Sequence, residues 1–80
     1  MTYHVEIEPP AWEAYDKLSA EQHGLVAVAL VLLARHGRPE QAVRAEAGTW
    51  RLRAGNQDIY FLVLEEEADV YVQSIMPALD

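Results

Sequence analysis

The feature that most constrains this chain is an unbroken apolar run, Leu25 to Ala34, set inside a segment with helix signals at both ends. Ser19 is placed to cap the first turn, and Gln22 three positions on completes an S-x-x-Q capping box. Gly37 suits a left-handed helix terminator, Arg35 and His36 suit the negative end of the dipole, and Pro39 blocks continuation. The spacing therefore predicts a helix from about Ala20 to His36, with Gly24 as its weak point and little polar surface of its own. Every other element must help cover it.

Eighty residues allow one domain, residues 1–80, with a core of marginal size. The apolar content of 51% is ordinary for a globular protein, and the absence of Cys removes any disulfide framework or thiolate zinc site. A core this small without covalent staples often recruits a partner surface. The apolar run is shorter than the roughly 20 residues needed to cross a bilayer. TYHVEIE lacks the basic start and apolar stretch of a signal peptide, so the expected location is cytoplasmic, with no membrane partner.

Net charge is −7, which argues against direct nucleic-acid binding driven by counterion release. Five of the six basic residues nevertheless fall between the end of the long helix and the strand after it: Arg35, Arg38, Arg44, Arg51 and Arg53. Glu65, Glu66, Glu67 and Asp69 cluster later.

Tyr3 to Glu8 alternates with period two, placing Tyr3, Val5 and Ile7 on one strand face and His4, Glu6 and Glu8 on the other. Pro9 and Pro10 end it, and Ala11 to Leu18 reads as a short helix that must dock to survive. Arg38 to Gly48 shows neither period and reads as a loop with at most a turn of helix. Thr49 to Ala54 is a second strand, with Arg51 and Arg53 opposite Trp50 and Leu52. Gly55-Asn56 is a tight turn that could extend to Gln57 or Asp58. Ile59 to Glu65 is a third strand, covered on both faces or carrying Tyr60 and Leu62 against a partner. Val70 to Ile75 is a fourth, stopped by Pro77. The order β-α-α-β-β-β implies a two-layer α+β domain, an antiparallel sheet with a helical hairpin on one face. A hairpin that sends the chain out and back predicts that the second strand runs antiparallel to the first.

Read with its residues, this order resembles the RelE/ParE superfamily of bacterial type II toxin–antitoxin toxins. Tyr3-His4-Val5-Glu6-Ile7 with the prolines, Ala11 and Lys17-Leu18 resembles the family's opening strand and first helix. LVLLARHGRP, Leu30 to Pro39, is similar to the end of its second helix, and Thr49 to Gly55 to its aromatic-Arg-x-Arg-x-Gly strand. The resemblance implies a small toxin whose groove holds an antitoxin segment. RelE-like members cut mRNA in the ribosome and ParE-like members poison DNA gyrase. Family cleavage depends on basic residues, commonly an Arg on the third strand and Arg, His or Tyr in the C-terminal segment. Here Asp58 stands at the matching third-strand position, and Ser74 to Asp80 has no basic or aromatic side chain. RNA cleavage needs a proton acceptor at the 2′-OH and cations for the charge on the phosphate, whereas an acid at a few ångströms repels it by about 1 kcal/mol or more.

The candidates are accordingly few. Arg51, Arg53 and His36 are weak catalytic candidates. Arg38, Arg44, Arg51 and Arg53 are candidates for binding an anion or partner carboxylates, although Arg51 and Arg53 more simply neutralise acids on neighbouring strands. Leu25, Val28 and Leu32 are either buried between sheet and first helix or left exposed as a protein interface. His4, Glu6 and Glu8 have ligand chemistry, but any solvated strand alternates this way and no second cluster completes a metal sphere. His23 and His36 belong at helix ends. The acidic run lacks a calcium-loop spacing and reads as a solvated turn. No cofactor fingerprint is present. The expectation is a toxin–antitoxin component acting by protein binding, its partner an antitoxin, with gyrase or the ribosome as possible targets. The alternatives are a ribosome-dependent mRNA endonuclease with a basic groove, or a non-toxic homodimeric binding module.

Overall fold

The computed structural model describes residues 2–79. It contains β1 (His4–Ile7), α1 (Pro9–Asp16), α2 (Ala20–His36), β2 (Val43–Arg44), β3 (Trp50–Ala54), β4 (Gln57–Leu64) and β5 (Asp69–Pro77), with a single 3-10 turn at Glu46–Gly48. Pro9 and Pro10 open α1, which starts two residues earlier than the Ala11 expected and stops at Asp16 rather than Leu18. Their missing N–H groups fall where a helix has no partner for them, and their fixed φ suits the first turn. α2 has the predicted bounds.

The expected α+β class and the helices on one sheet face are both present. The sheet order is β1-β5-β4-β3-β2, antiparallel except where β1 runs parallel to β5. The expected direction of the Trp50 strand is corrected, since β3 runs the same way as β1 through the chain of pairings β1, β5, β4, β3. The physical reason is a strand that the sequence did not announce. Val43–Arg44 pairs antiparallel with Arg51 and Trp50 across the turn at Glu46–Gly48. The out-and-back geometry of the helical hairpin applies to β2, and one further reversal delivers β3.

Side-chain alternation holds on both faces. Val5 lies opposite Val70 and Ile7 opposite Val72, facing the helices, while Leu52 and Ile59 are register partners on that same face. α2 contributes Val26, Ala29 and Leu33 to this core, and Leu33, Ile59 and Phe61 are fully buried. Each such side chain contributes about 1.5–3 kcal/mol.

Two contacts fix α2 on the sheet. At its C-terminus the Gly37 N–H donates to the Leu33 carbonyl (2.8 Å) and the Tyr3 N–H to that of Ala34 (2.6 Å), tying the helix end to the start of β1. Gly37 has φ +70°, and a Cβ there would sit 2.6 Å from the Tyr3 ring. At its N-terminus Ser19 Oγ accepts from the Gln22 N–H at 3.3 Å. The reciprocal half of the capping box is replaced: Gln22 Oε1 accepts instead from the Asn56 N–H (2.9 Å), docking the two-residue β3–β4 turn on α2.

One substitution should act with opposite signs at two glycines. Gly24 is in the helix interior with open space at its Cβ, so Gly24→Ala should stabilise by about 0.5–1 kcal/mol. Gly37→Ala should destabilise by about 2 kcal/mol or more, from the positive φ and the clash with Tyr3. Urea denaturation of dilute protein measures both.

Candidate functional site

The helices leave one sheet face uncovered, and alternation decides which side chains reach it. Arg51 and Arg53 of β3 pair in register with Tyr60 and Asp58 of β4, opposite the core-facing Leu52 and Ile59. Tyr60 lies beside Ser74, and Phe61 beside Val72, so the register slips there and Gln73 is the extra residue of β5. An open groove of about 540 Å³ follows, lined on its floor by Arg51, Tyr60, Gln73, Ser74 and Met76 and at its end by Arg44, Glu46 and Thr49. Arginine, tyrosine and methionine are the residue types enriched at protein–protein contacts.

The four arginines grouped by sequence are divided by the fold. Arg53 Nε donates to Asp58 Oδ1 at 2.6 Å, and the Asp58 side chain is only 4% exposed. This is the neutralisation across strands expected of Arg53. Asp58 therefore faces its own arginine rather than an empty groove, and the expected repulsion of a phosphate is reduced by that partner. Arg38 and Arg44 instead lie over the Trp50 ring, their guanidinium carbons 4.7 and 5.2 Å from its centroid. Such contacts contribute about 0.5–1 kcal/mol each at exposed sites and hold both cations near the β2 edge. Arg44 also lines the groove, so it and Arg51 are the two candidate arginines found there.

His36 is elsewhere. It borders a separate depression with Leu32, Arg38 and Pro39 at the end of α2, so the weak catalytic set of His36, Arg51 and Arg53 is not brought together around one space. His23 packs its ring on Tyr15, centroids 3.8 Å apart, in the α1–α2 contact. His4 points to Asp69 (3.7 Å) and Glu6 (3.8 Å) on the exposed sheet face. Among the described residues no three His, Cys, Asp or Glu side chains are grouped to hold a metal ion.

Tyr3 donates its hydroxyl to Glu65 Oε1 at 3.2 Å. Lost hydration, then this bond and the carboxylate charge, push the phenol above its ordinary value, so it remains a donor at neutral pH.

A second candidate surface lies on α2. Leu25 is 43% and Val28 62% exposed, Leu32 is half-buried beside them, and Val31, which the sequence did not single out, is 50% exposed. An apolar depression of about 240 Å³ runs along Leu25, Val28 and Leu32 to Leu52 and Ala54. Among the described residues no helix is long and apolar enough to cross a membrane.

The two β3 arginines should differ in stability. Arg53→Ala removes the partner of a buried carboxylate and should destabilise by about 1–3 kcal/mol, less than a fully buried pair because Arg53 is 40% exposed. Arg51→Ala should stay within about 0.5 kcal/mol. Thermal unfolding of the two variants compares them.

No protein-family model matches the sequence, and no curated protein matches it at the sequence level. Solved structures do match. The archaeal RelE of the RelE–RelB complex from Pyrococcus horikoshii superposes with a TM-score of 0.82 at 17% identity, covering 96% of each chain. A mutant of the E. coli toxin RelE in the free state gives 0.77 at 22% identity, over 98% of this chain and 85% of that one. The RelBE2 toxin–antitoxin complex from Mycobacterium tuberculosis gives 0.72 at 20% identity, over 98% and 100%. Parallel β1–β5 pairing, helical hairpin and antiparallel meander together give this chain the RelE toxin fold.

Proposed function

We propose that this chain is a RelE-like component of a bacterial toxin–antitoxin pair that works in the cytoplasm by binding protein, with an antitoxin polypeptide across the groove of the helix-free sheet face. The observation that carries this reading is the composition of that groove. Arg51 offers a cation to a partner's carboxylate, and Tyr60 and Met76 offer apolar contact. The solved complexes from P. horikoshii, E. coli and M. tuberculosis, in which a chain of this fold is seen with RelB, support a polypeptide partner.

The same groove is poorly furnished for cutting RNA. A phosphate placed there meets Arg51 but also the Glu46 carboxylate, while Arg44 is held over Trp50, Arg53 is engaged by Asp58, and among the described residues no imidazole lines the space. Stabilising a phosphorane requires preorganised cations at a few ångströms, and proton transfer requires a base within hydrogen-bond reach. Whatever toxicity the chain has then runs through binding a target such as gyrase or the ribosome rather than through RNA cleavage.

Co-expression with the product of the adjacent reading frame should yield a stable complex, with Arg51→Glu and Tyr60→Ala each weakening it about tenfold or more by calorimetry. Added to translating ribosomes, the free protein should leave message intact. Cleavage by the wild type that Arg51→Ala abolishes would establish the endonuclease reading instead.

A further inference from the structure

The outward face of α2 has a pattern that partner binding on the sheet does not use. Val26, Ala29 and Leu33 face the core. Val28 is about 200° round the helix from Val26 and 62% exposed, and its neighbours on that stripe are Leu25, Val31 and Leu32. The stripe carries charge only at its ends, Glu21 in the first turn and Arg35 in the last, both exposed. Val28 stands midway, seven residues from each, and Leu25 and Val31 stand three residues to either side of it.

We infer that this face binds a second copy of the same chain, as an antiparallel pair of α2 helices about a two-fold axis at Val28. That axis sets Val28 on Val28 of the partner subunit and Leu25 on Val31 of the partner subunit. It also brings Glu21 level with Arg35 of the partner subunit, twice by symmetry, as an isologous interface requires. A parallel pair would set Glu21 against Glu21 of the partner subunit and arginine against arginine, so the end charges select the antiparallel arrangement. The seam is neutral although each copy carries −7. The 240 Å³ depression beside Leu25, Val28 and Leu32 continues the apolar surface toward β3, giving the partner helix a hollow to pack into. A single helix pair with this margin is smaller than the roughly 800 Å² per side of a standard interface, so the dissociation constant should be on the order of micromolar.

Sedimentation equilibrium of the purified full chain tests the inference. The wild type should pass from monomer to dimer with rising concentration, and Val28→Glu should weaken the dimer at least about tenfold. Glu21→Arg and Arg35→Glu, each alone, should weaken it, and the two together should restore it, because the double exchange rebuilds the reciprocal pairs. All three positions are solvent-facing, and circular dichroism checks that each variant is folded. A chain that stays monomeric to millimolar concentration overturns the inference, as does a dimer indifferent to Val28→Glu or a double exchange no better than either single one. The sheet-face binding experiment stands or falls separately, since it uses different residues.

Discussion

The structure depends on covering a helix that is apolar almost all round. α2 turns Val26, Ala29 and Leu33 onto the sheet, and the core is complete once Leu52, Ile59, Phe61 and Val72 meet them. The short α1 covers part of one flank, through Ala11 and Tyr15, and Leu18 just beyond it adds to the cover. Among the described residues Val28 and Val31, on the side facing away, are left uncovered. In so short a chain, one sheet face and a two-turn helix have too little surface to wrap a 17-residue helix, so Val28 and Val31 stay in water. Exposure of that stripe is a consequence of size, and a stripe of this kind is ordinarily matched by another polypeptide.

The opposite side of the molecule obeys a different rule. A sheet with helices on one face presents the other to solvent, so its polar residues are chosen for what they meet there. Arg53 and Asp58 close on each other and seal the β3–β4 end of that face. Arg51 is left beside Tyr60, and the bulge in β5 brings Gln73 and Ser74 up beside them. The arginines thus perform three tasks: holding a buried acid, stacking on Trp50, and lining a groove. Charge counted along the sequence merges these tasks, and only the register separates them.

Much of this was legible in advance, and the gaps have identifiable causes. The bounds of α2 followed from Ser19, Gly37 and Pro39, and the strand faces from period two. The resemblance to RelE/ParE toxins, resting on the order of elements and on the stretches Tyr3 to Leu18, Leu30 to Pro39 and Thr49 to Gly55, agrees with the observed fold. β2 was missed because two residues cannot display a period, and with it went the direction of β3. The parallel β1–β5 pairing was hidden since nothing local in either strand names a partner so far along the chain. A capping box is a local pattern that ties Gln22 to its own helix end, whereas the Asn56 N–H competes for the same amide oxygen only after the chain has folded. The grouping of Arg38, Arg44, Arg51 and Arg53 treated closeness in sequence as closeness in space, and a twisted sheet edge does not preserve it.

The fold buries one face of α2 and leaves the other exposed to solvent. Methyl relaxation by a soluble paramagnetic probe, recorded on dilute full-length protein, reads each side chain's contact with solvent directly. Val28 and Val31 methyls should relax strongly and Val26 and Leu33 methyls hardly at all, with Val28 becoming protected as concentration is raised. Strong protection of Val28 in the dilute monomer would show that the chain hides this helix by itself, and would contradict the account.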